Sequence, residues 1–431
     1  MGSMVDETGP NVNTAPASPS SGAHAPPQLH RHADRFARWS AIALGASLPI
    51  STALDNILLV FILVGWIVSA GYRAKWAKIR ESATSLVVIA IAALGAIGVT
   101  YSLAPTAEAL RFFVKHLVLL TIPIIASLAW TQRERDLAIK AFGISMLVVL
   151  AMSYGLFVGL IPRLWPVIKG FASNAYVFRL QITHSYLMAF AVFIYAAYAY
   201  TATRRIARIG WAIASLAALI NVGVLVQGRT GYITVLMLAL VVLGNRFGWR
   251  GVVAALVGGT VLVAGTYDTS SAFRERIDQV GNEWARWKAG GPPTLGGVYE
   301  RLNFFANTWH IIEEHPVTGV GTGSFAEAYR REVIGADQPV TQNPHSQYLL
   351  TTAEQGVLGL ALLFGLFYAL WRDGRRRAQS TDRLVLHALI AATIVSALVN
   401  SVFIDHVETL FFAWGCGVAL AGPRQPREEG G

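Results

Sequence analysis

Residues 316–324 read PVTGVGTGS, and residues 343–360 read NPHSQYLLTTAEQGVLGL. The first segment is a glycine-rich turn, and the second begins with polar residues and continues as an apolar helix. They lie at the end of a polar stretch, residues 268–345, in a chain that otherwise consists mostly of long apolar segments. Arginine, histidine and a glycine-rich turn at one edge of a membrane bundle are costly beside hydrocarbon, so they usually mark a functional site.

The composition indicates a membrane protein. Of the 431 residues, 54% are hydrophobic and 14% are charged, whereas soluble domains carry about 25% charged residues. We therefore expect an all-α polytopic membrane protein. The net charge of +10 arises mostly from short basic loops, which orient such proteins in the bilayer, so it does not indicate nucleic-acid binding. Cys416 is the only cysteine, which excludes an intramolecular disulfide and a cysteine-based metal cluster.

Apolar segments of about 17 to 25 residues are the signal of a transmembrane helix. They predict about twelve spans, at residues 37–52, 54–72, 83–103, 112–130, 136–161, 181–201, 206–226, 230–246, 250–267, 346–371, 384–402 and 406–422. The predicted units are a disordered cytoplasmic N-terminus at 1–36, nine spans within 37–267, a loop domain at 268–345, three spans within 346–422 and a cytoplasmic tail at 423–431.

The distribution of lysine and arginine predicts the orientation. Basic loops alternate with loops that carry few basic residues, and the positive-inside rule assigns the basic set and both termini to the cytoplasm. The loop domain then faces outward, which is the periplasm in a Gram-negative host. Within it, apolar residues at helical spacing predict an amphipathic helix from Val298 to His315 and a second short helix from Phe325 to Val333.

Several cations lie on the predicted outer face, where the positive-inside rule gives no reason for them. They are Arg111, Lys115, Arg163, Lys169, Arg179, Arg229 and Arg301, with His184 beside Arg179. An anionic ligand such as a diphosphate would explain them, because a guanidinium group can grip phosphate oxygens in two places. Gly228 and Gly231 beside Arg229 indicate a close approach of the backbone there.

Four of these cations also have an ordinary explanation. Arg229 could be an interfacial arginine whose side chain extends to water, and Arg301 could belong to a solvated helix face or an ion pair. Arg111 and Lys115, one helical turn apart, could anchor their span to lipid headgroups.

His345 is the strongest candidate for a catalytic residue. It follows Pro344 and precedes an apolar helix, so its ring should lie near the helix start, close to the membrane surface. A neutral imidazole can accept a proton from an attacking hydroxyl near pH 7. The alternative is a histidine that caps the helix or contacts an interface.

Neither a nucleotide nor a metal is expected. The segment 316–324 lacks the lysine and the preceding strand of a P-loop, so we interpret it as a sharp return of the chain between two outer helices. The early outer loops offer only the isolated acids Asp55 and Glu108, and no Asp-x-Asp or Glu-x-x-His pair lies outside. We therefore predict that the protein needs no metal and no cofactor.

The order of these motifs resembles the O-antigen ligase family, within the ligase and Wzy polymerase superfamily. The resemblance rests on Gly228-Arg229, on Glu300-Arg301 with Trp309, on residues 316–325, on His345-Ser346-Gln347 and on residues 354–360. It implies a GT-C-like membrane glycosyltransferase with a large, partly helical periplasmic loop between spans nine and ten. It also implies residence in the bacterial inner membrane.

The resemblance further implies the reaction. A preassembled polysaccharide would pass from undecaprenyl diphosphate to a sugar hydroxyl of the lipid A core, without nucleotide sugar or metal and with inversion. The family's histidine corresponds to His345 and its arginines to Arg229 and Arg301. Gln347, which stands where relatives often have Asn, and Trp309 are candidate substrate-binding residues, together with Arg111, Lys115, Arg179 and His184. The same superfamily contains polysaccharide polymerases and protein O-oligosaccharyltransferases, which these motifs do not separate.

A transporter is the alternative from another functional class. Transporters usually show charges or broken helices near the middle of the membrane, in matching halves of the chain. Here no half repeats the other, and the central spans hold few ionisable groups apart from Glu354. The polar groups gather at one face, which favours chemistry there.

Overall fold

The chain folds into helices, most of which are joined by short connections. The computed structural model describes residues 28–425 apart from 163–167, 227, 270, 292–296 and 336–337. The helices are Gln28–Ser47 (α1), Thr52–Val68 (α2), Tyr72–Glu81 (α3), Ala83–Thr100 (α4), Thr106–Leu117 (α5), Thr121–Ser127 (α6), Gln132–Phe157 (α7), Gln181–Thr201 (α8), Arg205–Ile220 (α9), Arg229–Phe247 (α10), Trp249–Thr269 (α11), Ser271–Lys288 (α12), Gly297–Glu314 (α13), Phe325–Glu332 (α14), Gln347–Arg375 (α15), Ser380–Val399 (α16) and His406–Leu420 (α17). A 3-10 turn, Val118–Leu120, joins α5 to α6, and a π-helical turn, Asn221–Leu225, ends α9.

The structure confirms an all-α membrane protein but not the count of twelve spans. In the described part of the chain, eight helical segments are long and apolar enough to cross a membrane, or nine if the bent pair α2–α3 forms one span. One of the eight is α5, the 3-10 turn and α6 taken together. Helices lie at all twelve predicted positions, yet α1, α2, α11 and α17 do not meet this test alone. For α17 the reason is its length of only 15 residues, nearly all of which are buried among other helices.

Residues 28–36 are helical, which corrects the prediction of disorder up to residue 36. The polar first turns of α1 are held by ion pairs, because Arg38 pairs with Asp34 one turn earlier and with Glu134 of α7 at 3.1 Å. Polarity here reflects partners on another helix rather than a lack of structure. Residues 1–27 and 426–431 lie outside the described residues, so the predicted disorder of the first and the predicted tail are not tested there.

The stretch between α11 and α15 contains three helices. Two of them, α13 and α14, match the predicted helices within one residue at each end. The third, α12, was not predicted, although Ile277, Val280, Trp284 and Trp287 recur in its sequence at helical spacing. Glu283 of α12 accepts hydrogen bonds from the Val298 and Tyr299 backbone amides and so caps the start of α13.

Helix α15 is broken at Gly356, whose backbone (φ 63°, ψ −163°) leaves the helical region. A break frees backbone groups that must find partners inside a membrane bundle. The glycine-rich residues 316–324, here called the glycine wedge, supply them. Val320 N–H donates to the Ala353 carbonyl and Gly321 N–H to the Glu354 carbonyl, while Val357 N–H donates to the Pro316 carbonyl, each at 2.9 Å.

The other side of the glycine wedge is bound to α4 and the turn that follows it. Thr322 donates to the Gly98 carbonyl through its backbone (3.1 Å) and to the Gly95 carbonyl through its hydroxyl (2.8 Å). Ser324 shares a hydrogen bond of 2.7 Å with Ser102. The wedge joins α13 to α14, as the interpretation of a return between two outer helices requires, and it also fastens them to α4 and α15.

Replacement of Gly356 by Ala should destabilise the protein. Its backbone conformation is open almost only to glycine, which costs about 1–3 kcal/mol for another residue, and the added Cβ would collide with the Val317 carbonyl. Thermal unfolding of the purified protein in detergent measures the loss. Gly365→Ala on the same helix is the control, because its Cβ meets only Val87 at 3.9 Å. Equal unfolding temperatures for the two variants would contradict the wedge description.

Candidate active site at one end of the bundle

His345 is held in an unusual backbone conformation. Its φ of 57° lies in the left-handed region, which few residues other than glycine adopt. The Asn343 side chain maintains it, because Oδ1 of Asn343 accepts the His345 N–H at 2.8 Å and the Ser401 hydroxyl at 2.6 Å. The turn before α15 is thereby tied to the segment that follows α16.

Helix α13 brings an aromatic ring and a cation to His345. The Phe304 ring stacks on the imidazole with 6.0 Å between centroids and 25° between planes. Arg301 lies one turn earlier on the same face of α13, and its Nη1 donates to the Val399 carbonyl at the end of α16 (3.4 Å). Phe304 also packs edge-to-face on Tyr329 of α14, so α13, α14 and the end of α16 all help to position His345.

The surroundings favour an uncharged imidazole. Partial burial, and next the positive charge of Arg301, lower the pKa of His345 below its ordinary value of about 6.5. Nδ1 of His345 is buried and has no hydrogen-bond partner among the residues that the structure describes. A neutral ring with an unsatisfied nitrogen beside an arginine is suited to accept a proton near pH 7.

Gln347 lies beside His345 but has a structural task. It is buried, its Oε1 accepts the Phe403 N–H at 2.8 Å, and its backbone N–H donates to the Asn400 carbonyl at 3.2 Å. These bonds attach the start of α15 to residues 400–403. The predicted contact of Gln347 with substrate is therefore not supported by its position.

The side chain of Arg229 lies outside the described residues, but its backbone opens α10. A Cβ on Gly228 or Gly231 would collide with Ser185 near the start of α8, which explains the glycines as a close approach of the two helices. Thr183 of the same turn donates to Glu408 at the start of α17 (2.6 Å). The start of α10 is thus at the same end of the bundle as His345 and the end of α16.

Arg179 and His184 are buried and hold the connection before α8. Arg179 forms an ion pair with Asp55 at 2.6 Å and also donates to Thr52 and to the Leu48 carbonyl. His184 Nδ1 accepts the Val177 N–H at 3.3 Å, and its Nε2 lies 3.0 Å from Asn221 Oδ1. Their polar atoms already have protein partners, which indicates a structural task, and the role of both residues in substrate binding stays a prediction.

The remaining candidates occupy different positions. Arg111 of α5 is exposed, and Lys115 one turn later is half-buried with its Nζ 4.6 Å from the centre of the Phe112 ring. Lys115 is within electrostatic reach of Glu354 and Asp405, so it faces the bundle. Trp309 is exposed on α13 and donates to Glu313 one turn later at 2.7 Å. The structure therefore does not bring Trp309 to the His345 cluster.

Asn343, Phe304 and Ser401 are the site residues that sequence reasoning missed. Asn343-Pro344 is a turn-forming pair, which was the available signal for Asn343. Phe304 resembled one more apolar position of an amphipathic helix, and Ser401 lay in a predicted span. Within the described residues, no group of three or more histidine, cysteine, aspartate or glutamate side chains could hold a metal ion; metal independence stays a prediction.

Residues 214–364 match the family model described as O-antigen ligase. The matched range contains the starts of α10 and α15, all of α13 and α14, the glycine wedge and His345. The match confirms the resemblance over this range, which is less than half of the chain. A comparison with curated proteins finds no match.

Removal of Arg179 should damage stability rather than chemistry. Arg179→Ala leaves the fully buried Asp55 without its cation, and breaking one partner of a buried pair costs about 3–5 kcal/mol. Thermal unfolding of the purified variants should show a large loss, and Asp55→Ala combined with Arg179→Ala should recover part of it. Exposed Arg111→Ala is the control and should unfold like the wild type. Unchanged stability with lost transfer in Arg179→Ala would restore its role in substrate binding.

Proposed function

We propose that this protein is an O-antigen ligase of the bacterial inner membrane. It transfers a preassembled polysaccharide from undecaprenyl diphosphate to a sugar hydroxyl of the lipid A core, at the periplasmic face. The observation that carries the proposal is His345, with its unsatisfied buried Nδ1, its lowered pKa and Arg301 nearby. The family match over residues 214–364 supports the class of reaction.

In the proposed reaction, His345 takes the proton of the acceptor hydroxyl as that oxygen attacks the anomeric carbon of the donor sugar. The bond between this carbon and the diphosphate oxygen breaks, and undecaprenyl diphosphate leaves with the bonding electron pair. Arg301 and Arg229 stabilise the negative charge that grows on the leaving group. A single direct displacement inverts the anomeric centre.

The break in α15 bears on the transporter alternative, because broken helices often line transport sites. Here the Ala353 and Glu354 carbonyls and the Val357 N–H, which the break at Gly356 leaves without helical partners, form hydrogen bonds with the glycine wedge. A backbone whose carbonyls are already satisfied does not offer them to a passing ion or substrate. This observation favours an enzyme over a transporter.

A lipopolysaccharide gel tests the function directly. The chain is expressed in a strain that lacks its ligase but makes lipid-linked O-antigen, and a His345→Ala variant serves as the matched control. We expect ladder bands on the wild-type lane alone. Longer chains on a single-repeat background without restored ligation would instead identify a polymerase, and glycosylated protein would identify an O-oligosaccharyltransferase.

The pH dependence of kcat/KM should reveal His345. Because the pKa of His345 is lowered, the neutral base persists into mildly acidic solution, and the acid limb should have its midpoint below about 6.5. Arg301→Gln removes a charge that lowers this pKa. The midpoint of the acid limb should therefore move to higher pH in this variant, and the rate of transfer should fall. Arg375→Gln, an exposed change at the far end of α15, should leave the midpoint in place. An unmoved or lower midpoint in Arg301→Gln would argue against the assignment.

Lysine should replace Arg229 or Arg301 poorly. If both hold the leaving diphosphate, Lys keeps the charge but loses the forked geometry, and each change should cost more than the 0–1 kcal/mol of a surface ion pair. The double variant should lose less than the product of the single losses, because both act on one group. Transfer from lipid-linked donor is measured at matched expression, with Arg375→Lys as control. Full activity in both single variants would leave only a nonspecific charge effect.

Transfer should persist in excess EDTA and without nucleoside triphosphate. This expectation rests on the sequence of the outer loops, where Asp55 and Glu108 are isolated acids. Asp55 also forms an ion pair with Arg179. The assay uses purified protein, lipid-linked donor and core acceptor, with and without chelator. Activity lost in EDTA and recovered with Mg²⁺ or Mn²⁺ would reveal a metal site.

A further inference from the structure

A second polar site lies at the opposite end of the bundle, separated from His345 by the 29 residues of α15. It is a cavity of about 250 Å³ between α3, the start of α4 and the ends of α6, α15 and α17. We call it the basic cavity; its polar lining includes Lys78, Glu81, Ser85, Ser127, Arg377 and Arg424. It is much larger than the ~30 Å³ share of one water molecule in the liquid.

The backbone forces two arginines of the basic cavity to face each other. Arg377 and Arg424 form an isolated antiparallel bridge, flanked by the hydrogen bonds from Ala378 N–H to the Pro423 carbonyl (2.9 Å) and from Gln425 N–H to the Arg376 carbonyl (2.8 Å). Like charges directly opposite in such a pair are destabilising. An anion between them would remove that repulsion.

Arg377 has donor capacity left toward the cavity although it is only 3% exposed. Its Nε and Nη1 donate to the carbonyls of Asp373, Leu420 and Gly422, whereas Nη2 makes no hydrogen bond to a residue that the structure describes. Burial, and next the charge of Arg424, lower the pKa of Arg377 to about 10. The nearby acids therefore do not fully compensate this buried cation.

The rest of the polar lining adds to the positive charge. Lys78 donates to the carbonyls of Ser127 and Leu128 at the end of α6, each at 3.2 Å. Glu81 is the single acid that lines the cavity, and it is mostly exposed and paired with Arg424 at 2.6 Å. Among the described lining residues, three cations thus face one acid.

The position of α3 puts the basic cavity at the level of lipid headgroups. This helix bends away from α2 by 115°, as a helix lying along a membrane surface would. Tyr72 and Trp76 on it are half exposed, and such aromatic side chains favour the membrane–water interface. On the proposed orientation this end faces the cytoplasmic leaflet, where basic pockets between helices attract anionic headgroups.

We propose that the basic cavity binds the phosphate group of an anionic phospholipid, held between Arg377 and Arg424 with Lys78 beside it. The site is separate from the transfer reaction and does not depend on it. Free phosphate offers the same chemistry, so the test includes both sources.

The test uses the full chain, purified in neutral detergent and stripped of lipid. Phosphatidylglycerol, phosphatidylcholine and inorganic phosphate are titrated separately, and binding is measured by native mass spectrometry and thermal unfolding. We expect phosphatidylglycerol to bind the wild type more tightly than phosphatidylcholine does. Arg424→Glu should weaken the binding of phosphatidylglycerol by more than tenfold. Each cation near a membrane surface increases the affinity for anionic lipid by about fivefold, and the substitution changes the charge by two units.

Two comparisons separate a site from general charge attraction. Arg375→Glu makes the same charge change at an exposed residue of this end that does not line the cavity, and it should bind nearly like the wild type. Arg424→Glu also breaks the ion pair with Glu81, so its unfolding temperature without lipid is recorded beside that of the wild type. Arg424→Gln, which adds no carboxylate beside Glu81, replaces it if it does not fold. If inorganic phosphate, and not lipid, raised the unfolding temperature of the wild type but not that of Arg424→Glu, this result would support an anion site that takes its phosphate from solution. The proposal would be overturned if the wild type and Arg424→Glu bound phosphatidylglycerol equally tightly. It would also be overturned if Arg375→Glu weakened this binding as much as Arg424→Glu does, or if no probe bound at all.

Discussion

The arrangement of this protein depends on the break in α15 at Gly356. A helix interrupted inside a bundle leaves carbonyl and amide groups that need partners where water is scarce. The glycine wedge provides three backbone hydrogen bonds at this break and further bonds to α4. Glycine is required because Gly319 approaches the α15 backbone and Gly321 approaches Ser102 too closely for a side chain. The wedge thus makes an apparently peripheral segment part of the bundle.

The geometry around His345 follows from this attachment. The wedge fixes the end of α13 and the start of α14 against α15, and α13 in turn carries Arg301 and Phe304 to His345. Asn343 and the segment after α16 fix the backbone of His345 from the other side. A base whose ring and charge environment are set by three separate elements is pre-organised for proton transfer. The far end of the bundle is different in character, since its cations Arg377 and Lys78 donate to carbonyls at the ends of helices.

The sequence was sufficient for the fold class, for α13 and α14, and for the placement of the polar groups at one end. It failed where a residue's role depends on a distant partner. Gly356 in an apolar run is indistinguishable from an ordinary helical glycine, because the break is stabilised by residues 316–321. Arg179 looked like an anion ligand, because Asp55, its ion-pair partner, lies 124 positions away. The polar start of α1 suggested disorder for the same reason, since Glu134 lies on α7.

The measurement that tests the central claim most directly is single-turnover transfer by purified His345→Ala. Lipid-linked donor and lipid A core acceptor are mixed with the variant and the wild type, and thermal unfolding is recorded on the same preparations. We expect a loss of about 10²–10⁴-fold in the rate, as for a removed general base, with donor binding and unfolding temperature little changed. Near-normal transfer by the folded variant would contradict it.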